Sequence, residues 1–381
     1  MPAGESLATG IIQRIGEQVS IIKQESKAGQ LRFEEVVKDH EEGLRRIQSL
    51  LTRDKQGVIK SLNEIHACGH RIVHGGESVS GTTLIDDRME KIIEDYYDLA
   101  PLHNPPNLTG VRAAKKFLSN VPHVACFDTA FHQSLKPVAY MYALPYEFYK
   151  RFKIRRYGFH GTSHQYVSRR ASRLLNIPMS DIKLITCHLG NGCSITAVNG
   201  GKSIDTSMGL TPLEGLIMGT RSGDFDPAII FHLIRKGFRA EELDVIVNKK
   251  SGLIGISGVS NDVRDLIEKA NDGIERAALA LDMFSYRIKK YIGSYLAILN
   301  GCDGIVFTGG IGENAPLLRE KIISNMTYCG IALDNDENYS EGQDGERFIN
   351  TINSKVKLMI IPTNEEIAIA QETYSLINNN T

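Results

Sequence analysis

"IKLITCHLGNGCSITAVNGGKSIDTS", residues 182–207, reads as three strands joined by two kinds of turn. The run 182–189 is short, apolar and rich in β-formers, the pattern of a buried strand. "HLGNGCS" (188–194) interrupts it with glycines. "SITAVNGGKSIDTS" (194–207) then alternates on either side of Asn199-Gly200-Gly201, a strong hairpin signal. Three further runs, "PHVACFD" (122–128), "DGIVFTG" (303–309) and "VKLMIIPT" (356–363), are strands of the same buried kind, each leading into polar or glycine residues. Helical patterns lie between them. "DPAIIFHLIRKG" (226–237) has Asp226 as N-cap, Pro227 at the first helical position and Gly237 as its stop. From Asp272 to Asn300, Ala278, Leu281, Phe284, Ile288, Ile292 and Leu296 recur at three-to-four spacing and predict one long helix with an apolar face. Mixed sheets with intervening helices give an α/β fold class.

A chain of 381 residues is long enough for two domains with a cleft between them, where small-ligand sites often lie. Forty-four basic and 45 acidic residues leave a net charge of -1, so no field gathers nucleic acid or an anionic membrane. The expected partner is a small molecule. The six cysteines form no CxxC pair and read as reduced structural thiols rather than disulfides or zinc ligands. "MPAGESLATG" has no signal-peptide core, and every apolar run is cut before it could span a bilayer, so the expected location is the cytoplasm.

Three glycine-rich segments follow strand ends: 188–194, "FTGGIGENA" (307–315) and "DTSMGLTPLEGLIMGTRSGDFDP" (205–227). Glycine there permits φ > 0 and close backbone approach to an anion, and three such loops point to a nucleotide. Neither GxxxxGK[ST] nor a strand-bound GxGxxG is present, which disfavours P-loop and Rossmann folds. Arg71 sits in an apolar strand and must meet either a carboxylate or a ligand anion. His103 lies in a double-proline loop, Asp128 ends a strand, and His160 stands between glycines. Arg71, His103, His160 and Arg221 together read as cations without matching nearby acids, a surplus suited to a transferring phosphoryl group.

The segments "GHRIVHGGE" (69–77), "APLHNPPN" (100–107), "FDTAFH" (127–132), "RYGFHGTSH" (156–164), "HLGNGCS", "DTSMGLTPLEGLIMGTRSGD" (205–224), "FTGGIGEN" (307–314) and "PTNEE" (362–366) together resemble the acetate kinase family over almost the whole chain. The resemblance implies two actin-like, ribonuclease H-like domains of mixed sheets and helices around a nucleotide cleft, and a homodimer. The expected domains are 1–129 with 366–381, and 130–365 for nucleotide binding and dimerisation. It implies reversible, Mg2+- or Mn2+-dependent phosphoryl transfer from ATP to acetate, giving acetyl phosphate and ADP.

Position by position, the resemblance makes Arg71 and Arg221 the arginines that hold the acetyl and phosphoryl groups, and His160 the contact to the phosphoryl group in flight. Asp128 and Glu365 match the acids that organise the metal and the reacting groups. His103 belongs to the same constellation. Val73, Leu102, Phe159 and Pro212 match the pocket for the methyl of acetate. The nucleotide side comprises His188, Gly190, Asn191 and Gly192 at the phosphates. Gly309, Gly310, Ile311, Gly312 and Asn314, with Asp262, Val263 and Arg264, match the adenosine side. Val263 stands where the family usually has an aromatic.

The chemistry agrees with these roles. Acetate is ionised at neutral pH, with an ordinary pKa of about 4, so no general base is required. Positive donors must instead offset the charge gathered around the transferring phosphorus. One extra methylene changes discrimination by only ~1–3 kcal/mol, which keeps a propionate or butyrate kinase as an alternative; a catalytically silent nucleotide-binding protein is another. The family opens with a strand and an N-x-G-S-S-S-x-K loop that this chain lacks. The expectation is a shortened form of weak activity with an unpaired interior sheet edge, unless "EQVSIIKQ" (17–24) takes the vacant position.

Overall fold

A computed structural model of the chain describes residues 4–53, 57–101, 103–340 and 345–379. The chain divides into two units, Met1–Ala130 with Glu365–Thr381 and Phe131–Asn364.

The first unit holds two sheets. β1 (Ala8–Gln13), β2 (Ser20–Ser26) and β3 (Gly29–Glu35) form an antiparallel meander with β2 in the middle. β2 alternates: Ser20, Ile22 and Gln24 are buried, and Ile22 packs with Val37, Leu50 and the flanking Ile12, Ile15, Leu31 and Phe33. Residues 17–24 therefore lead into and build the central strand of this meander. They pair with β1 and β3 and not with the second sheet.

That second sheet has the order β4 (Cys68–Ile72), β6 (His123–Phe127), β5 (Thr83–Leu84). β4 runs parallel to β6 with Arg71 opposite Cys126, and β6 is buried along its whole length. The helices Asp87–Asp95 and Asn104–Phe117 cover it through Ile93, Leu108 and Val111, against Ile72, Ala125 and Phe127. The double proline after His103 is not a loop. Pro105 and Pro106 fall in the first turn of the helix Asn104–Phe117, where a missing N–H costs nothing and a fixed φ is already helical.

The second unit is built on six strands in the order β11 (Arg347–Phe348), β12 (Lys357–Ile360), β10 (Gly304–Thr308), β7 (Lys183–Leu189), β8 (Cys193–Asn199), β9 (Lys202–Thr206). β12, β10 and β7 are parallel, while β7, β8 and β9 are antiparallel, as the opening stretch predicts. At the hairpin tip Asn199 pairs with Lys202, and Gly200 and Gly201 have φ of 58° and 73°. Two consecutive positive φ values make the type I′ geometry, whose twist matches that of the strands.

The helix Gly161–Leu175 sets Val167 and Ala171 against Leu184, Val198, Val306 and Met359. The long helix covers Glu275–Leu299 and ends on Asn300 in the left-handed region. Of its predicted stripe, Leu281, Phe284, Ile288 and Ile292 are buried, and Ala278 and Leu296 are half-buried. The helix after Asp226 runs Ala228–Arg235, one residue later than predicted, with Asp226 Oδ1 accepting from the Ala228 N–H at 2.9 Å. Among the described residues no helix is long and apolar enough to cross a membrane.

Candidate active site

In the first unit the side chains of interest meet where β4 and β6 end side by side. Asp128 follows β6, its N–H held by the Ile72 carbonyl at 2.9 Å. Its carboxylate accepts two bonds from Arg71, Nε to Oδ1 at 3.0 Å and Nη2 to Oδ2 at 2.6 Å. The sequence reading of Arg71 as a cation without a nearby acid is thus corrected. The parallel register, invisible in sequence, places it beside Asp128.

Glu365 opens the helix Glu365–Asn379 and approaches from the other side, with Oε2 3.6 Å from Arg71 Nε. That is an ion-pair distance but too long for a hydrogen bond, and Oε2 is buried with no hydrogen-bond partner among the described residues. Burial pushes the Glu365 carboxyl above its usual range, with Arg71 pulling back. The Asp128 charge in turn drives the Arg71 guanidinium still further toward its charged form.

Val73 is buried one residue beyond β4, its N–H donating to Asn107 Oδ1 at 3.2 Å. His103 is the N-cap residue of the helix that follows it. Leu102 lies outside the described residues.

In the second unit His160 caps the helix Gly161–Leu175 with φ 56°. A left-handed backbone at a residue other than glycine costs on the order of 1–3 kcal/mol, and the surroundings must hold it. Serine and threonine hydroxyls do so. His164 Nδ1 bonds the Thr186 hydroxyl (2.7 Å) and its Nε2 bonds the Ser194 hydroxyl (2.7 Å). Ser194 also bonds His160 Nδ1 (2.8 Å), so one hydroxyl links the two imidazoles. The imidazole also stacks on His188 at 4.3 Å, and His188 Nδ1 bonds Ser163 at 2.8 Å.

The loop between β7 and β8 brings Arg221 and His160 together. A Cβ on Gly192 would lie 3.6 Å from Arg221 Nη1 and 3.7 Å from the His160 ring. Arg221 donates to the Pro212 carbonyl at 3.3 Å, and among the described residues no carboxylate pairs with it. Burial lowers its pKa from the usual value, the signature of a cation without a protein anion. Asn191 is exposed and accepts from Asn261 Nδ2 through Oδ1 at 3.0 Å. At Gly219 a Cβ would fall 1.9 Å from Asn191 Oδ1, so a larger residue there has to displace that amide. Thr206 and Ser207, in contrast, spend their hydroxyls on β8: Thr206 Oγ1 bonds Thr196 Oγ1 at 2.9 Å and Ser207 Oγ accepts from the Ile195 N–H at 3.0 Å.

The third glycine segment is not a loop but the helix Gly309–Asn314, entered directly from β10. Gly309 takes φ 76° and packs against the Leu189 carbonyl, while a Cβ on Gly310 would meet nothing within 4 Å. Glu313 Oε1 ties this turn together, accepting from the N–H groups of Gly309 (2.8 Å) and Thr363 (3.2 Å). Asp262 caps the helix Val263–Asn271 and pairs with Arg264 at 2.6 Å. Val263 is buried, which leaves the exposed contacts of that turn to Asp262 and Arg264. Phe159 is buried, and its carbonyl accepts from His132 Nε2 at 3.0 Å.

Ser194 and His164 are absent from the sequence reading. Their signal was present: His164 stands four residues after His160 within "RYGFHGTSH", one helical turn on.

Residues 1–371 match the profile of the acetokinase family. An acetate kinase of Halothermothrix orenii is 51% identical over 373 residues, covering 97% of this chain and 93% of its own. The crystal structure of the Porphyromonas gingivalis acetate kinase superposes with a TM-score of 0.93 at 45% identity, covering 99% of this chain and 95% of its own. A propionate kinase from Francisella tularensis superposes with a TM-score of 0.90 at 42% identity, covering 97% of this chain and 93% of its own.

Proposed function

The chain belongs to the acetokinase family and is a phosphotransferase with a carboxyl group as acceptor; from that premise we propose that Arg71, Asp128, His160, Arg221 and Glu365 serve the reversible transfer of a phosphoryl group from ATP to acetate. The fold is of the actin-like, sugar-kinase type. The observation that carries the reading is the convergence of Arg221 and His160 on Gly192, with no carboxylate paired to that arginine among the described residues.

In the forward direction a carboxylate oxygen of acetate attacks the terminal phosphorus of ATP. The bond to the bridging oxygen breaks and ADP leaves with that electron pair. No proton is taken, since both nucleophile and leaving group are anions. What the site must supply is positive charge and geometry. Arg221 donates its N–H fork to the phosphoryl oxygens, and among the described residues no carboxylate competes for it. His160, held at Nδ1 by Ser194, is set in one orientation before substrate arrives. Asn191 makes no protein hydrogen bond through Nδ2 among the described residues, which suits that amide to a phosphate oxygen. Arg71 grips the acetate carboxylate as an alternative to its present partner Asp128. Val73, Phe159 and Pro212 are the residues assigned to the methyl group. Gly310, with open space at its Cβ position, lets the nucleotide approach the backbone.

The acids fit a hard divalent cation. Glu365 Oε2 is a buried carboxylate oxygen with no hydrogen bond among the described residues, and Asp128 offers oxygen donors of the same hard kind, the set that Mg2+ or Mn2+ selects. When bound, such an ion neutralises phosphate oxygens. Two coarser features belong to the same reading. All six cysteines are free, which suits the reducing cytoplasm. The helix Ala228–Arg235 has no buried residue, and Ile229, Phe231 and Ile234 on it, with Phe238 just after it, are exposed; we assign this helix to a homodimer contact.

The deciding experiment is trapping of acetyl phosphate as acetohydroxamate from acetate, MgATP and hydroxylamine. Steady formation that requires both acetate and nucleotide supports the reading. Nucleotide binding without hydroxamate, from acetate or propionate, overturns it.

A further inference from the structure

Behind the strand that carries Arg71, three side chains form a cluster that phosphoryl transfer does not use. Cys68 and His70 are two residues apart on β4 and share one face, while Arg71 points to the other. In the parallel register His123 of β6 lies directly opposite Cys68. The Cys68 thiol and one ring nitrogen from each histidine therefore converge, all within 4.8 Å of one another. His70 Nε2 and His123 Nδ1 are 2.9 Å apart, and the rings stack at 5.2 Å.

The surroundings decide the tautomers. His123 Nε2 lies 3.0 Å from the Leu118 carbonyl, which can only accept. Nε2 therefore carries the proton, and Nδ1 presents a lone pair to His70, whose Nε2–H donates to it. A carbonyl that holds the far nitrogen of an imidazole is the support found behind metal-bound histidines, because it fixes both the tautomer and the ring plane. His123 is thus a ligand oriented in advance.

We propose that Cys68, His70 and His123 form a site for one borderline-soft divalent cation of the Zn2+ type. Thiolate and imidazole are the ligands such an ion selects over the carboxylates that suit Mg2+. Zn–N and Zn–S bonds of about 2.0–2.3 Å place neighbouring ligand atoms about 3.3–3.8 Å apart, so the nitrogens need to separate by only a few tenths of an ångström. On binding, the ion takes the place of the shared proton. That proton moves from His70 Nε2 to Nδ1, leaving a neutral ring, and the Cys68 thiol releases its proton to solvent. Cys68 and His70 are half-buried, so the ion has access from solvent and its fourth position goes to water.

Cobalt tests the proposal, because Co2+ bound by a thiolate shows a near-ultraviolet charge-transfer band that oxygen ligands do not produce. The reduced full chain, free of metal and nucleotide, is titrated with Co2+ and then with Zn2+. One equivalent of Co2+ should give this band with tetrahedral visible bands, and Zn2+ should abolish both. Cys68→Ser should remove the charge-transfer band, and His123→Gln should weaken Co2+ binding by about tenfold or more. A wild-type chain without the band overturns the proposal, as does a band that survives in Cys68→Ser. The wild-type titration decides even where a variant fails to fold. Cobalt held by Asp128 and Glu365 gives no thiolate band and is distinguished on that ground.

Discussion

Arg71 and Asp128 face each other through two parallel hydrogen bonds, 3.0 and 2.6 Å long, with the Asp128 side chain only 2% exposed and the Arg71 side chain 46% exposed. The arginine is thus poised between a buried carboxylate and solvent. Arg221 has no such partner among the described residues. The two arginines should therefore fail differently when removed.

Arg71→Ala should lower turnover by ~10²–10³, the loss typical of one charge-stabilising donor, and should also destabilise the fold by about 1–3 kcal/mol by leaving Asp128 buried without its cation. Arg221→Ala should lower turnover as much with a stability change within about 0.5–1 kcal/mol. Hydroxamate kinetics and urea unfolding of both variants make the comparison. Equal stability losses would mean that the Asp128 pair contributes nothing to folding.

Ser194→Ala removes the hydroxyl that links His160 to His164. His160 keeps its place in the chain but loses its orientation, so kcat should fall about tenfold while KM for ATP stays within about twofold. His164 loses a buried partner, at a cost of about 1–3 kcal/mol. A variant of full kcat would separate Ser194 from the chemistry and leave it a packing role.

Two glycines give opposite predictions. Gly219→Ala puts a methyl where Asn191 Oδ1 stands, 1.9 Å away, and should displace that amide and reduce turnover about tenfold or more. Gly310→Ala has open space around its Cβ and lies in a helix, so stability should hold or rise by up to about 1 kcal/mol. If the nucleotide approaches this backbone, KM for ATP should nevertheless rise. An unchanged KM would place the nucleotide elsewhere.

Acid should unfold the chain through buried histidines. Burial lowers His132 from its usual 6.5 to about 4 and His74 to about 3, and it lowers His164 well below the usual value. Each binds its proton more readily in the unfolded chain, so its contribution to stability is complete above about pH 6.5 and is lost as the pH falls toward 4. Each such group steepens the dependence by up to about 1.4 kcal/mol per pH unit. Urea midpoints measured from pH 7.5 to 4.5 should fall steeply below 6.5, and His132→Gln should flatten the slope. A flat profile across that window would mean that these imidazoles meet acid without unfolding.

The α/β class, the strands at 182–189, 303–309 and 356–363, the Gly200-Gly201 hairpin and the long helix ending at Asn300 are all legible in the sequence. These are local matters: side-chain period, turn chemistry and capping act within a few residues of chain. The sequence also supplied the family and the candidate residues of the site. It did not disclose the meander of 8–35, whose short amphipathic strands become sheet only by covering the core around Ile22, Val37 and Leu50. Pairing across the fold was decided by tertiary structure alone. Arg71 meets Asp128, 57 positions away, because β4 and β6 run parallel in one particular register. The same register sets Cys68 opposite His123, which no spacing of cysteines along the chain could announce. Likewise Ser194 joins His160 to His164 only because β8 lies beside the start of the helix Gly161–Leu175. Sequence fixes which groups exist, whereas the distance between two of them depends on strand register and helix docking, which the burial of the whole core selects.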